Sequence, residues 1–138
     1  LHQDLTIDRK KLGQIIFSDS NQKTVLESIL HPLIRTEVQN LKKNYEKKGV
    51  SLCFYDVPLL FEKNMQDQFD KTVLIWCSPD IQLKRLMRRN GLSEEEAQIR
   101  IANQLPMSYK IKRAHHCVDN SDGHDDLRKQ IQKLLPRL

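Results

Sequence analysis

Lys71-Thr-Val-Leu-Ile-Trp-Cys-Ser-Pro-Asp80 is the stretch that decides the fold class. Its first seven residues are almost continuously apolar and β-branched, as suits a parallel strand covered on both faces. Ser78-Pro79-Asp80 then reads as an abrupt helix start, with a cap, a proline in the first turn and an acid beside the helix N-terminus. The helix continues from Ile81 to about Asn90 and stops near Gly91. A buried strand that feeds straight into a helix is half of a β-α-β unit.

The same reading extends in both directions. Upstream, Val50-Ser-Leu-Cys-Phe-Tyr-Asp-Val57 has the composition of a second buried strand, ended by Asp56 and Pro58. Downstream, Ala114 to Val118 is a short third strand, followed by a turn at Asp119 to Gly123 and a helix over about Asp125 to Leu135. Ser93-Glu-Glu-Glu96 is a capping box that opens a helix to about Gln104, and Pro106 breaks it. The first third is helical. Asp8 caps a helix with Leu12, Ile15 and Ile16 on one face. A second helix carries Val25, Leu26, Ile29 and Leu30 and is interrupted at His31-Pro32. A third runs from Leu33 to about Lys48 and ends at Gly49. Strands separated by helices predict an α/β fold with a parallel sheet.

The chain has 138 residues, 38% hydrophobic and 30% charged, with a net charge of +5. That is enough chain for one domain with a core, and too apolar for a disordered one. No apolar run is long enough to span a membrane. Leu1 to Gly13 is polar and periodic, which predicts no signal peptide, and Leu1 in place of Met predicts that residue 1 is not a translation start. Cys53, Cys77 and Cys117 are far apart and odd in number. They predict reduced thiols, core positions in strands and a cytoplasmic location. His115-His116-Cys117 resembles a metal tract, but neighbouring strand residues point to opposite faces, so no metal site is expected there. Only four glycines are present, none close to another, so these residues contain no glycine-rich phosphate loop.

Ligands of open α/β sheets bind beyond the carboxyl ends of the strands. The residues placed there are Asp56 to Glu62, then Ser78 with Lys84, Arg85, Arg88 and Arg89, then Asn120. Arginines three and four apart share a helix face, where they either hold phosphate oxygens or form a solvated basic surface. Asp56 and Glu62 serve either as substrate-facing carboxylates or as turn caps, and Asn120 either pairs with a base edge or fills a turn. The basic stretches at Lys42-Lys43, Lys47-Lys48, Lys84 to Arg89 and Lys110 to Arg113 leave a second class open: a nucleic-acid-binding module. Aromatics at 6%, not interleaved with those runs, offer no stacking platform for single strands.

Several motifs in order resemble dephospho-CoA kinase. They are Ile7 to Gly13, Leu26-Glu-Ser-Ile-Leu-His-Pro-Leu-Ile-Arg35, Asp56-Val-Pro-Leu-Leu-Phe-Glu62, Gln82 to Arg89, Gly91 to Ala97, Arg100 to Gln104 and Val118-Asp-Asn-Ser121. The resemblance implies a P-loop kinase that moves the ATP γ-phosphoryl group, with Mg²⁺, to the 3′-hydroxyl of dephospho-CoA. It implies a three-layer parallel sheet with a helical CoA domain at 1–49, a core at 50–83 and 114–138, and a helical lid at 84–113. It implies His31, Pro32, Pro58, Leu59, Leu60 and Glu62 on the acceptor side, Arg85 and Arg89 on the ATP phosphates with Arg85 catalytic, Gln104 at the lid hinge and Asn120 beside adenine. It also implies ATP and dephospho-CoA as partners, with no nucleic acid and no membrane, in a monomer or weak homo-oligomer. The alternative is a non-catalytic basic module that binds nucleic acid or a CoA-like anion. The family's phosphate loop, and the two strands around it with the catalytic Asp, do not lie in these residues. The 138-residue polypeptide alone is therefore expected to be inactive, and to leave unpaired the sheet edges between 50–57 and 71–77.

Overall fold

The computed structural model describes residues 6–138, and for Arg9, Lys10 and Phe17 the backbone alone. Leu1 to Leu5 lie outside the described residues, so the reading of the opening stretch rests on sequence. The chain divides into two compact units, 1–53 and 54–138.

The first unit holds two helices that pack on each other, α1 (Arg9–Ser18) and α2 (Ser20–Lys47). Asp8 caps α1 by accepting from the Lys11 N–H, and Asp19 caps α2 by accepting from Asn21 and Gln22. The end of α2 is a Schellman turn. Gly49 takes φ 70°, the Val50 N–H reaches Tyr45 O and the Gly49 N–H reaches Glu46 O. The expected break at His31-Pro32 does not occur: α2 is one helix of 28 residues with Pro32 inside it. Proline costs a helix interior about 3 kcal/mol, and roughly three or more turns of backbone hydrogen bonds on each side outweigh that. His31 and Pro32 are both exposed, and α2 carries no buried residue.

The second unit contains β1 (Val73–Trp76), α3 (Pro79–Asn90), α4 (Glu94–Ala102), α5 (Met107–Ile111), β2 (His116–Asp119) and α6 (His124–Leu134). β1 and β2 pair in parallel, Val73 opposite His116 through Trp76 opposite Asp119. The α/β reading with a parallel sheet therefore stands. Most local start and stop signals also form as read. Ser78 and Pro79 begin α3, though the Ser78 side chain makes no capping hydrogen bond, Gly91 ends it at φ 64°, and Ser93 and Glu96 close a complete capping box on α4. The core is small: Phe61, Ala97 and Val118 are buried, together with Thr72 and Lys110.

Two expectations fail here. Residues 50–57 form no strand. An apolar run becomes a strand only when a neighbour supplies the other half of its ladder. The two-stranded sheet supplies none to it, and Val50, Leu52, Phe54 and Tyr55 stay exposed. The thiols are not core residues either: Cys53 and Cys117 are exposed and Cys77 is half-buried. Cys53 loses its cover with the missing strand, and Cys117 alternates outward from buried Val118.

Candidate functional site

Two clusters in the second unit gather residues that are far apart in sequence. The first sits where β1 and β2 end. Ser78 donates its N–H to Ser121 Oγ at 2.9 Å, which ties the two strand exits together. Arg85, near the middle of α3, donates Nη1 to Asn120 O at 2.6 Å and approaches Ser121 O through Nη2 at 3.5 Å. Its guanidinium is thus held against the β2 exit by carbonyls, which leave its positive charge uncompensated. The remaining N–H donors are free for an anion. Gln130 of α6 supports the same exit. Its amide accepts from the Asp119 N–H and donates to Asp119 O, while Asp119 itself receives the Ser121 N–H.

Beside Arg85, Ile81, Lys84 and Arg88 line a shallow cleft of about 240 Å³. That is smaller than a typical small-molecule pocket of several hundred Å³ and suits a phosphate rather than a whole nucleotide. Arg89, also expected at the phosphates, is exposed and donates Nε to Asn90 Oδ1 at 2.9 Å. The structure thus brings Arg85 and Asn120 together and puts Arg88, not Arg89, beside Arg85 in the cleft.

The second cluster joins the loop after residue 57 to the elbow between α4 and α5. Glu62 Oε1 accepts from Lys110 Nζ at 2.6 Å and from the Leu105 N–H at 3.1 Å, and Lys110 Nζ also donates to Gln104 Oε1 at 3.0 Å. Glu62 and Gln104, both singled out in the sequence, therefore share one partner. Burial pushes the Glu62 carboxyl up. The Lys110 hydrogen bond, backbone donors at Glu62 and Leu105, and the Lys110 charge together outweigh burial and hold the carboxyl below its ordinary 4.5. A carboxylate lowered in this way stabilises the fold above its unfolded value. That contribution is lost as pH falls below about 4.5 through the folded value. The urea midpoint of the native protein should therefore drop more steeply with acid than that of Glu62→Gln, the two converging at low pH. Parallel curves would contradict this. Glu62 Oε2 is buried with no partner among the described residues.

Pro58, Leu59 and Leu60 form the turns that deliver Glu62. Lys63 N–H reaches Leu59 O and Met65 N–H reaches Leu60 O. Leu59 holds φ 61°, a left-handed conformation that costs a side-chain-bearing residue roughly 1–2 kcal/mol. Leu59→Gly should therefore raise thermal stability by about 1 kcal/mol, and an unchanged or lower melting temperature would show that the loop stores no strain there.

The sequence places Lys110 in a basic patch. It is buried instead and paired with Glu62, so it presents no free charge, while Arg113 stays exposed with its guanidinium over the Tyr109 ring at 3.6 Å. The signal was its position, three residues after Met107 on the face that an apolar residue would occupy. His115 is a structural residue: Nδ1 accepts from the Thr72 N–H at 3.1 Å, and Thr72 Oγ1 accepts from the His115 N–H. Among the described residues no three His, Cys, Asp or Glu side chains gather to hold a metal ion, and no helix is long and apolar enough to cross a membrane.

Comparison with known proteins shows the family. A family model described as dephospho-CoA kinase matches residues 1–126. The chain belongs to the dephospho-CoA kinase family. Among its relatives, a dephospho-CoA kinase of Listeria innocua is 36% identical over 99% of this chain and 68% of its own length. One from Bdellovibrio bacteriovorus is 38% identical over 98% of the chain and 67% of its own. Among solved structures, the dephospho-CoA kinase of Campylobacter jejuni superposes with TM-score 0.72 at 31% identity, covering 99% of this chain and 67% of that one. A Thermus thermophilus crystal structure gives 0.76 at 32% identity, covering 95% of this chain and 67% of its own. Dephospho-CoA kinases are transferases that carry out the last step of coenzyme A biosynthesis, with ATP as phosphoryl donor.

Proposed function

We propose that this chain carries the acceptor-side and lid machinery of a dephospho-CoA kinase, and that Arg85 is its chief phosphate-binding group. The observation that carries the reading is the Arg85 guanidinium fixed to Asn120 O at the exits of β1 and β2. Strand exits are where α/β sheets bind ligands, and an arginine immobilised by neutral carbonyls keeps its charge for a phosphate. In the reaction, the ribose 3′-oxygen of dephospho-CoA bonds to the γ-phosphorus as the bond to the β–γ bridging oxygen breaks and ADP leaves. Negative charge builds on the transferring oxygens, and arginine stabilises it.

Arg85 acts there, with Arg89 carried to the phosphates when the lid closes and Asn120 beside adenine. Pro58, Leu59, Leu60 and Glu62 shape the acceptor side, Gln104 serves as lid hinge, and His31 and Pro32 act toward the acceptor from the helical unit. These roles rest on family membership and on where the second unit places its residues. We assign residues 1–49 to the CoA domain, 84–113 to the lid, and 50–83 with 114–138 to the core. Mg²⁺ is the cation proposed to accompany ATP. The described residues form no cage for it, and the chemistry assigned to them is charge neutralisation by arginine. The glycine-rich loop that cradles phosphates in P-loop kinases is not among these 138 residues, so the 138-residue polypeptide by itself is proposed to be inactive. Separate thiols fit a reducing cytoplasm, and we propose a monomer or weak homo-oligomer without nucleic acid.

The test uses the whole reading-frame product that contains this sequence, with ATP and Mg²⁺. Dephospho-CoA should gain one phosphoryl group by mass, and CoA, whose 3′-oxygen is already phosphorylated, should not react. Absence of turnover together with steeply salt-dependent binding to random oligonucleotides would instead support the binding-module reading.

A further inference from the structure

We infer that Lys110 is a positioning residue for the acceptor-side loop: its ammonium bolts that loop, through Glu62, to the α4–α5 elbow. The inference rests on the proposed kinase function for what the bolt serves, and on geometry alone for the bolt itself. Lys110 is only 7% exposed, and lysine is almost never so deeply buried without a partner. Its Nζ holds Glu62 Oε1 at 2.6 Å and Gln104 Oε1 at 3.0 Å, while the same Glu62 oxygen takes the Leu105 N–H at 3.1 Å. Three residues of the elbow thus converge, directly or through Nζ, on the loop whose Leu59 is held left-handed.

A packing role alone would be served as well by apolar side chains. Buried ion pairs add little net stability over such replacements, and their best-attested use is to fix register. Here the pair fixes how far the 58–64 loop lies from the elbow that carries Gln104 and lines a cavity of about 210 Å³ with Leu105, Pro106 and Met107. Each lid movement that shifts the elbow therefore pulls on the acceptor loop. Lys110 touches no reacting atom in this scheme and acts only through Glu62 and Gln104.

The experiment compares the whole reading-frame product with Lys110→Met and with the milder Glu62→Gln, which keeps an acceptor for both Lys110 and Leu105. Hydrogen–deuterium exchange of the free proteins should show faster exchange confined to 58–64 and 103–106 in Lys110→Met. Unchanged exchange in both segments, or equal loosening of β2 and α6, would overturn the bolt whether or not the protein phosphorylates dephospho-CoA. Steady-state kinetics then read positioning. Lys110→Met should lower kcat/KM for dephospho-CoA about 10- to 100-fold, as small misplacements do. Its KM for ATP should stay within about twofold, and Glu62→Gln should fall between it and the parent. Equal losses for both substrates, or none, would make Lys110 a stability residue only. If Lys110→Met does not fold, hydrogen–deuterium exchange of Glu62→Gln carries the test: faster exchange confined to 58–64 and 103–106 supports the bolt, and unchanged or general exchange overturns it.

Discussion

Arg85→Gln in the intact kinase is expected to lower kcat about 10³-fold while leaving the fold in place. Arginines that stabilise the charge of a transferring phosphoryl group contribute on the order of 10³ to 10⁵ in rate. Glutamine removes the charge and ends two bonds short of Nη1, so the bond to Asn120 O is lost with it, while the Ser78 N–H to Ser121 Oγ bond still ties the strand exits. The loss should fall on kcat and kcat/KM together, because the interaction matures only as charge develops. Arg88→Gln, which lies in the same cleft without the carbonyl anchor, should cost far less. A larger effect at Arg88 or Arg89 than at Arg85 would move the chief phosphate contact away from the anchored side chain.

The second large effect concerns stability. Lys110→Met removes one member of a buried pair and leaves the Glu62 carboxylate, 14% exposed at its side chain, without its cation. Breaking such a pair typically costs about 3–5 kcal/mol. Glu62→Gln in the Lys110→Met background removes the stranded charge, so the double variant should be more stable than Lys110→Met alone. Urea unfolding followed by circular dichroism measures both. Additive losses would mean that the two side chains do not depend on each other.

What the sequence revealed and what it hid divide along the range of the interactions. The caps at Asp8 and Ser93, the Ser78-Pro79 start and the Gly49 and Gly91 stops were legible because each is complete within a few residues. Pro32 misled because its local cost was weighed without the long helix on either side of it. Val50 to Val57 misled for the opposite reason: its apolar pattern describes a strand that exists only beside a partner. At the site, Arg85, Asn120, Glu62 and Gln104 were named from motifs, but their connections were not visible. Arg85 meets backbone carbonyls, which no residue type announces, and Lys110 meets Glu62 across a long stretch of chain. A lysine on an apolar helical stripe was the only trace of that pair, and its basic neighbours masked it.

The most direct measurement of the central claim is phosphoryl transfer itself, with ATP, Mg²⁺ and dephospho-CoA, and CoA detected by mass. The intact reading-frame product should form CoA and the 138-residue polypeptide should not, because the glycine-rich loop that cradles phosphates in P-loop kinases is not among these residues. CoA formed by the 138-residue polypeptide alone would contradict that dependence, and no CoA from the intact product would contradict the function.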